Sequence, residues 1–268
     1  MAALSAGFCA FLVHCDRERY VAGINSHSYG TLWLSQHVYL CRLHSTVIAL
    51  DLARDSYLGI AGPTLETLAA IVPGWPDAEA ERPAETAPIC ENLPESISEL
   101  IAEGILTIDS SRGKRATPVC FDANIASVAL IPNVSRQRHI RIRDIVNFLW
   151  ACLSTAWLLK CRSLQKAVEV VSHRSGACNQ AKEFAISDAA DLIAIFRRLR
   201  SFTFSAHHRC LFHSLVLVSF LSRYGLHPQF VIGVKVDPWA AHSWVQFGRY
   251  VLDGTPEQVR FYTPILAI

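Results

Sequence analysis

The spacing of apolar and polar positions changes period several times along this chain. Residues 1–36 carry no clear period and stay unassigned. From Val38 onward three short alternating runs follow, VYLCRL (38–43), TVIALDL (46–52) and SYLGIA (56–61), divided by Asp51 and the ARD of 53–55. Alternation over such lengths turns one face of each run inward, and the spacing predicts a three-stranded meander. The period then lengthens. TLETLAAIV (64–72) places Leu65, Leu68, Ala69 and Val72 on one helical face, with Thr64 as the expected N-cap and Pro73-Gly74 as the stop. A polar, acidic stretch (77–88) reads as a flexible loop. LPESISELIAEGIL (93–106) gives a short helix with Ile97, Leu100 and Ile101 inward and Gly104 ending it.

DSSRGKRATP (109–118) is the natural domain boundary, and residues 119–135 leave room for a strand. The pattern is helical from 139 to 172. Its apolar run IVNFLWACLSTAWLL (145–159) is interrupted by Asn147, Ser154 and Thr155 and falls short of the roughly 20 residues a membrane helix needs, so a buried core helix is expected and no membrane span. RQRHIRIR (136–143), ahead of it, reads as a solvated helix start. SHRSGACN (172–179) breaks the period, and SDAADLIAIFRRLRSF (187–202) restores it. An apolar helix, CLFHSLVLVSFLSRYG (210–225), then leads into strand-like QFVIGVKV (229–236), AHSWVQF (241–247) and YVLD (250–253). The expected class is α+β: a small domain over 37–110, then a larger one over 119–268.

Composition narrows the function. The formal net charge is only +2, which excludes a nucleic-acid binder driven by bulk charge. Nine cysteines without a Cys-x-x-Cys pair fit neither a disulfide framework nor a zinc ribbon, and most sit among apolar residues as small hydrophobes. A cytoplasmic setting is expected. The apolar start, MAALSAGFCAFLVHC, lacks the basic segment and cleavage site of a signal peptide.

The candidate chemistry lies in HHRCLFH (207–213). A thiol in the first turn of a helix feels the positive end of the dipole and free backbone N–H groups, and Arg209 adds to both, so Cys210 is a candidate nucleophile. Such a thiol needs a base, and the base an orienting group. His242 and Asp253 are the candidates. If Gly248-Arg249 forms a two-residue hairpin loop, Phe247 pairs with Tyr250 and Trp244 with Asp253, which makes His242 and Asp253 diagonal neighbours on one face. Two other readings stay open here. His207, Cys210 and His213, spaced by three, could share a helix face and hold a metal with His242, although the apolar surroundings and Asp253 speak for no metal. The chain could also be a non-catalytic scaffold.

Residues 197–268 resemble the protease half of lasso peptide biosynthesis B proteins. The resemblance rests on Cys-Leu-x-x-Ser-Leu from Cys210, the Gly233-Val strand, and Pro-Trp-x-Ala-His-x-Trp-Val over 238–245. Less specifically, the strands and the LIAEGIL helix are similar to the leader-binding winged-helix half of the same proteins. The resemblance implies a winged-helix domain followed by a transglutaminase-like, papain-like cysteine protease domain. It implies Cys210 as nucleophile, His242 as general base and acid, and Asp253 as orienter. The precursor's leader would be bound at Ser56, Tyr57, Leu58, Gly59 and Ile60, beside Ile97, Leu100 and Ile101, as an added strand. The implied partners are the lasso precursor and an ATP-using cyclase resembling asparagine synthetase. No cofactor is implied in this chain, which has no phosphate-binding Gly-x-x-x-x-Gly-Lys loop. Acyl transfer to an amine by the same three residues is the alternative activity.

Overall fold

The computed structural model describes residues 31–76, 94–119, 128–129, 139–176, 186–201 and 210–268. The acidic stretch 77–88, most of 119–135 and the three residues His207, His208 and Arg209 lie outside them. The chain divides into two compact units, residues 1–119 and 120–268.

The first unit is built on the meander β2 (Val38–Leu43), β3 (Thr46–Asp51) and β4 (Ser56–Ala61), antiparallel in that order, and it has a short β1 (Trp33–Ser35) ahead of it. Leu43 pairs with Thr46, so β2 and β3 turn over two residues, and His44 takes the left-handed conformation there. The second turn is closed by Asp51, whose Oδ1 accepts from the N–H groups of Ala53 (2.8 Å) and Arg54 (3.1 Å). Helices α1 (Pro63–Ile71) and α2 (Glu95–Ala102) follow, then β5 (Leu106–Thr107) and β6 (Gly113–Lys114). Leu40, Val47, Ala49, Leu68, Ile97 and Leu106 form its core with their neighbours. Two expectations change. Helix α1 starts on Gly62 with Pro63 in its first turn, and Thr64 bonds to Ser96 (3.2 Å) instead of capping. The 109–118 stretch does not lie outside the fold, because β5 and β6 flank β1 in a second sheet. A Cβ on Gly113 would come within 2.2 Å of the Trp33 Cβ, so β1 and β6 can approach this closely only at glycine.

The second unit carries β7 (Val128–Ala129), α3 (Ile142–Cys161), α4 (Leu164–Gly176), α5 (Ile186–Ser201), α6 (Cys210–Ser222), β8 (Gln229–Val236), β9 (Trp239–Phe247), β10 (Tyr250–Val251), α7 (Pro256–Val259) and β11 (Thr263–Ala267). The sheet order is β11-β8-β9-β10-β7, with β7 parallel to β10 and the other pairs antiparallel. Helix α6 is apolar all round because it is buried all round, from His213 to Leu221. It packs on β9 on one side and on α3 on another. Phe148 of α3, Phe196 of α5 and Phe220 of α6 meet edge-on and tilted at 5.6–6.4 Å between centroids.

Helix α3 overturns the expectation of a buried core helix. Its inward residues are Asp144, Asn147, Phe148, Ala151 and Thr155, while Ile142, Ile145, Val146, Leu149, Trp150, Leu153 and Trp157 are exposed. The polar residues turn inward because the end of α6 supplies partners. Tyr224 Oη donates to Asp144 Oδ1 at 2.6 Å, and Arg223 Nε donates to Asn147 Oδ1 at 3.3 Å.

Candidate active site

Cys210 opens α6 and is half-buried. Ser214, one turn on and therefore on the same helix face, donates its hydroxyl to the backbone carbonyl of Ser243 at 3.1 Å. That bond is wholly buried and fixes the first turn of α6 against β9 at Ser243. It gives the Cys-Leu-x-x-Ser spacing a physical meaning, since the serine docks the helix that presents the thiol. The sulfur consequently faces His242 and Ser243. Burial pushes the Cys210 thiol up from its ordinary 9.0. The hydrogen bond to His242, the Ser243 backbone N–H, the positive charge of His242 and the Ser243 hydroxyl more than offset this and bring it down to about 7. The Ser243 hydroxyl is buried and has no hydrogen-bond partner of ordinary geometry, so the pull it exerts on a Cys210 anion comes from a group that needs an acceptor.

His242 has two aromatic neighbours. His242 pairs across the ladder with Gly233 and stacks on Trp244 of its own strand face, with centroids 6.3 Å apart and planes 19° from parallel. The Tyr262 ring lies 5.3 Å from that of His242, tilted by 38°. Gly233 makes this packing possible, because a Cβ there would meet the Trp244 ring at 2.8 Å and the Tyr262 Cβ at 2.9 Å. Tyr262 also has its hydroxyl pKa raised, first by burial and then by the negative charge of Cys210.

The hairpin forms with the expected loop. Phe247 pairs with Tyr250, Gln246 with Val251, and Gly248 alone of the two loop residues has a positive φ (55°). Asp253, however, does not reach His242. Its carboxylate accepts from Arg200 of α5 at 3.0 Å, next to the Arg197–Leu252 carbonyl bond at 3.2 Å, and no hydrogen bond or ion pair to His242 is present. The chain leaves β10 after Val251, and the two arginines of α5 take up the polar groups beyond it. The carboxylate expected beside His242 from strand register is thus held by Arg200, and the ring neighbours of His242 are Trp244 and Tyr262.

Ser243 and Tyr262 were not legible as site residues. The signal for Ser243 is its position next to His242 opposite the Cys-x-x-x-Ser helix face. Tyr262 has no such signal before β11 is known to pair with β8. The metal reading involves His207, which lies outside the described residues; among those described, no group of three or more His, Cys, Asp or Glu side chains converges. Cys41 is buried and pushed up to about 12, and Cys152 is pushed up to about 11, so neither shares the character of Cys210.

The residues expected to hold a leader peptide lie in the first unit. Ser56, Tyr57, Leu58 and Gly59 of β4 are half-buried, as is Ile101 of α2. Ile60, Ile97 and Leu100 are core residues, so they support this surface and do not form it. A cleft of about 550 Å³ in the same unit is lined by Gln36, His37, Ile101, Leu106 and Arg112 among others.

A half-buried thiol at a helix start thus faces a strand histidine of a mainly antiparallel sheet. Residues 149–267 match the family model of the transglutaminase-like superfamily, from within α3 to the end of β11, so the second unit carries a transglutaminase-like domain. Comparison with curated proteins and with solved structures gave no match.

Proposed function

We propose that this chain is a cysteine leader peptidase of lasso peptide maturation. The observation that carries this reading is the seating of Cys210 at the start of α6 against His242 and Ser243 of β9, fixed by the buried Ser214–Ser243 bond. With its pKa brought down to about 7, this thiol is about half thiolate at neutral pH. The sulfur attacks the carbonyl carbon of the leader–core bond. The backbone N–H of Cys210, at the helix start where no intrahelical acceptor competes for it, holds the oxyanion. His242 gives a proton to the departing core amine, leaving the leader as a thioester on Cys210. His242 then takes a proton from water, which cleaves the thioester to the leader's carboxylate and returns the thiol. The product is a core peptide with a free N-terminal amine. A partner cyclase using ATP would join that amine to an acidic core side chain.

The first unit is proposed as the winged-helix leader-binding module, in a cytoplasmic protein. Its β4 pairs with β3 on one edge, and among the described residues no strand pairs with the other, which suits capture of an extended leader. Holding the leader first makes scission effectively intramolecular, so a weakly selective thiol centre gains selectivity from the tether.

Hydrolysis is distinguished from acyl transfer by the new leader C-terminus. In oxygen-18 water the leader should carry one heavy oxygen, with a primary amine present or not. An amide of the added amine as the main product would move the assignment to acyltransferase.

A further inference from the structure

Helix α3 is inverted, with polar residues inward and a continuous apolar face outward. Ile142, Ile145, Val146, Leu149, Trp150, Leu153 and Trp157 fall within an arc of roughly 140° on a 3.6-residue helix. Leu153 is 71% exposed and Trp157 54%. Together these side chains expose on the order of 800 Å² of largely apolar surface, more than the roughly 300–600 Å² of the largest patch on an ordinary monomer. The exposed charge of this helix and its flanking residues has one sign. Arg141, Arg143, Lys160 and Arg162 are exposed at the two ends of the helix, and the single acid of α3, Asp144, is buried against Tyr224. Arginines also sit over both exposed indoles, Arg223 at 4.7 Å from the Trp150 ring and Arg162 at 5.4 Å from the Trp157 ring.

We propose that the outer face of α3 lies in the headgroup region of an anionic lipid bilayer, anchoring this unit to a membrane surface. The chemistry matches on each count. Aliphatic side chains seat at the acyl boundary, indoles prefer the interface, and arginine and lysine pair with phosphate. By length and composition α3 could cross a membrane, but crossing would strip it from α6. It would break the Tyr224–Asp144 and Arg223–Asn147 bonds and the Phe148 ring cluster. The helix therefore lies on the membrane and does not span it. The proposal stands independently of the peptidase reading.

The test is flotation of the full-length protein with vesicles of neutral phosphatidylcholine, or of the same lipid containing a third phosphatidylglycerol. Each basic group near an anionic surface raises partitioning about fivefold, so the anionic vesicles should bind at least a hundredfold more tightly, and high salt should reverse most of this. The variant Leu153→Glu/Trp157→Glu should lose binding at least tenfold while keeping the wild-type circular dichroism and Cys210 alkylation rate. Wild type that stays unbound with both vesicles overturns the proposal, as does equal binding by the variant. A solution dimer that the variant converts to monomer gives the face to a second copy of the chain and overturns it too.

Discussion

Replacing His242 with alanine should change the ionisation of Cys210 while leaving its place in the fold intact. In the intact protein the thiol titrates at about 7, so about half is thiolate at neutral pH. The variant keeps the burial and the Ser243 contacts but loses both the hydrogen bond and the charge of His242, so the thiol rises from about 7 toward its ordinary 9.0, which sets the upper limit of the effect. At pH 7 a thiol of pKa 9 is about 1% ionised, a drop of about fiftyfold in thiolate. Each surviving thiolate is more basic and more nucleophilic, and a Brønsted slope of about 0.4–0.5 over that change returns roughly six- to tenfold. Alkylation of Cys210 by iodoacetamide at pH 7 should therefore slow by about five- to eightfold, not fiftyfold. The two profiles should cross near pH 8, and above it the variant should react faster. The assay is peptide-resolved mass spectrometry of alkylation from pH 5.5 to 10, with Cys41 and Cys152 as slow internal references because burial pushes them to about 12 and 11. Superimposable pH profiles for wild type and variant, or a wild-type midpoint near 9, would refute the reasoning.

Asp253→Asn should leave the alkylation midpoint of Cys210 in place and cost about 1 kcal/mol of stability, because its partner is the partly exposed Arg200. A midpoint that rises would show that the carboxylate acts on His242 after all. Gly233→Ala should cost about 1–3 kcal/mol, read as a lower Tm, since its Cβ meets the Trp244 ring and the Tyr262 backbone end with no room to yield. The same change should slow Cys210 alkylation, because both displaced residues wall in His242. Ser243→Ala should raise the alkylation midpoint by less than His242→Ala does, since the backbone N–H contact survives the substitution.

Much of the fold could be read locally. Strand alternation located β2, β3, β4 and β8 to within a residue of their observed bounds, and Gly248 gave the hairpin its loop length and register. Cys210 and His242 were legible because each sits in a recognisable element, one at a helix start and the other on a strand. What escaped depends on contacts distant in the chain. A strand continued to Asp253 would set it diagonal to His242, but β10 ends at Val251 and α5 brings Arg200 to the carboxylate, a contact no strand pattern reports. Tyr262 reaches His242 only because β11 lies beside β8 at Gly233. The face of α3 was misjudged because hydrophobicity alone turns Leu and Trp inward. The Tyr224 hydroxyl and the Arg223 guanidinium outbid it for Asp144 and Asn147. Thr64 lost its cap role to Gly62 and Pro63, two residues that start a helix without a side-chain bond.

Cys210 is proposed to cut the peptide bond between a lasso leader and its core. Mass spectrometry of the precursor after incubation with wild type and with Cys210→Ala, with and without ATP and the cyclase, tests it most directly. One cleavage is expected, at the leader–core bond and by wild type alone. Equal processing by both proteins, or no cleavage of the precursor by wild type in the complete mixture, would contradict it.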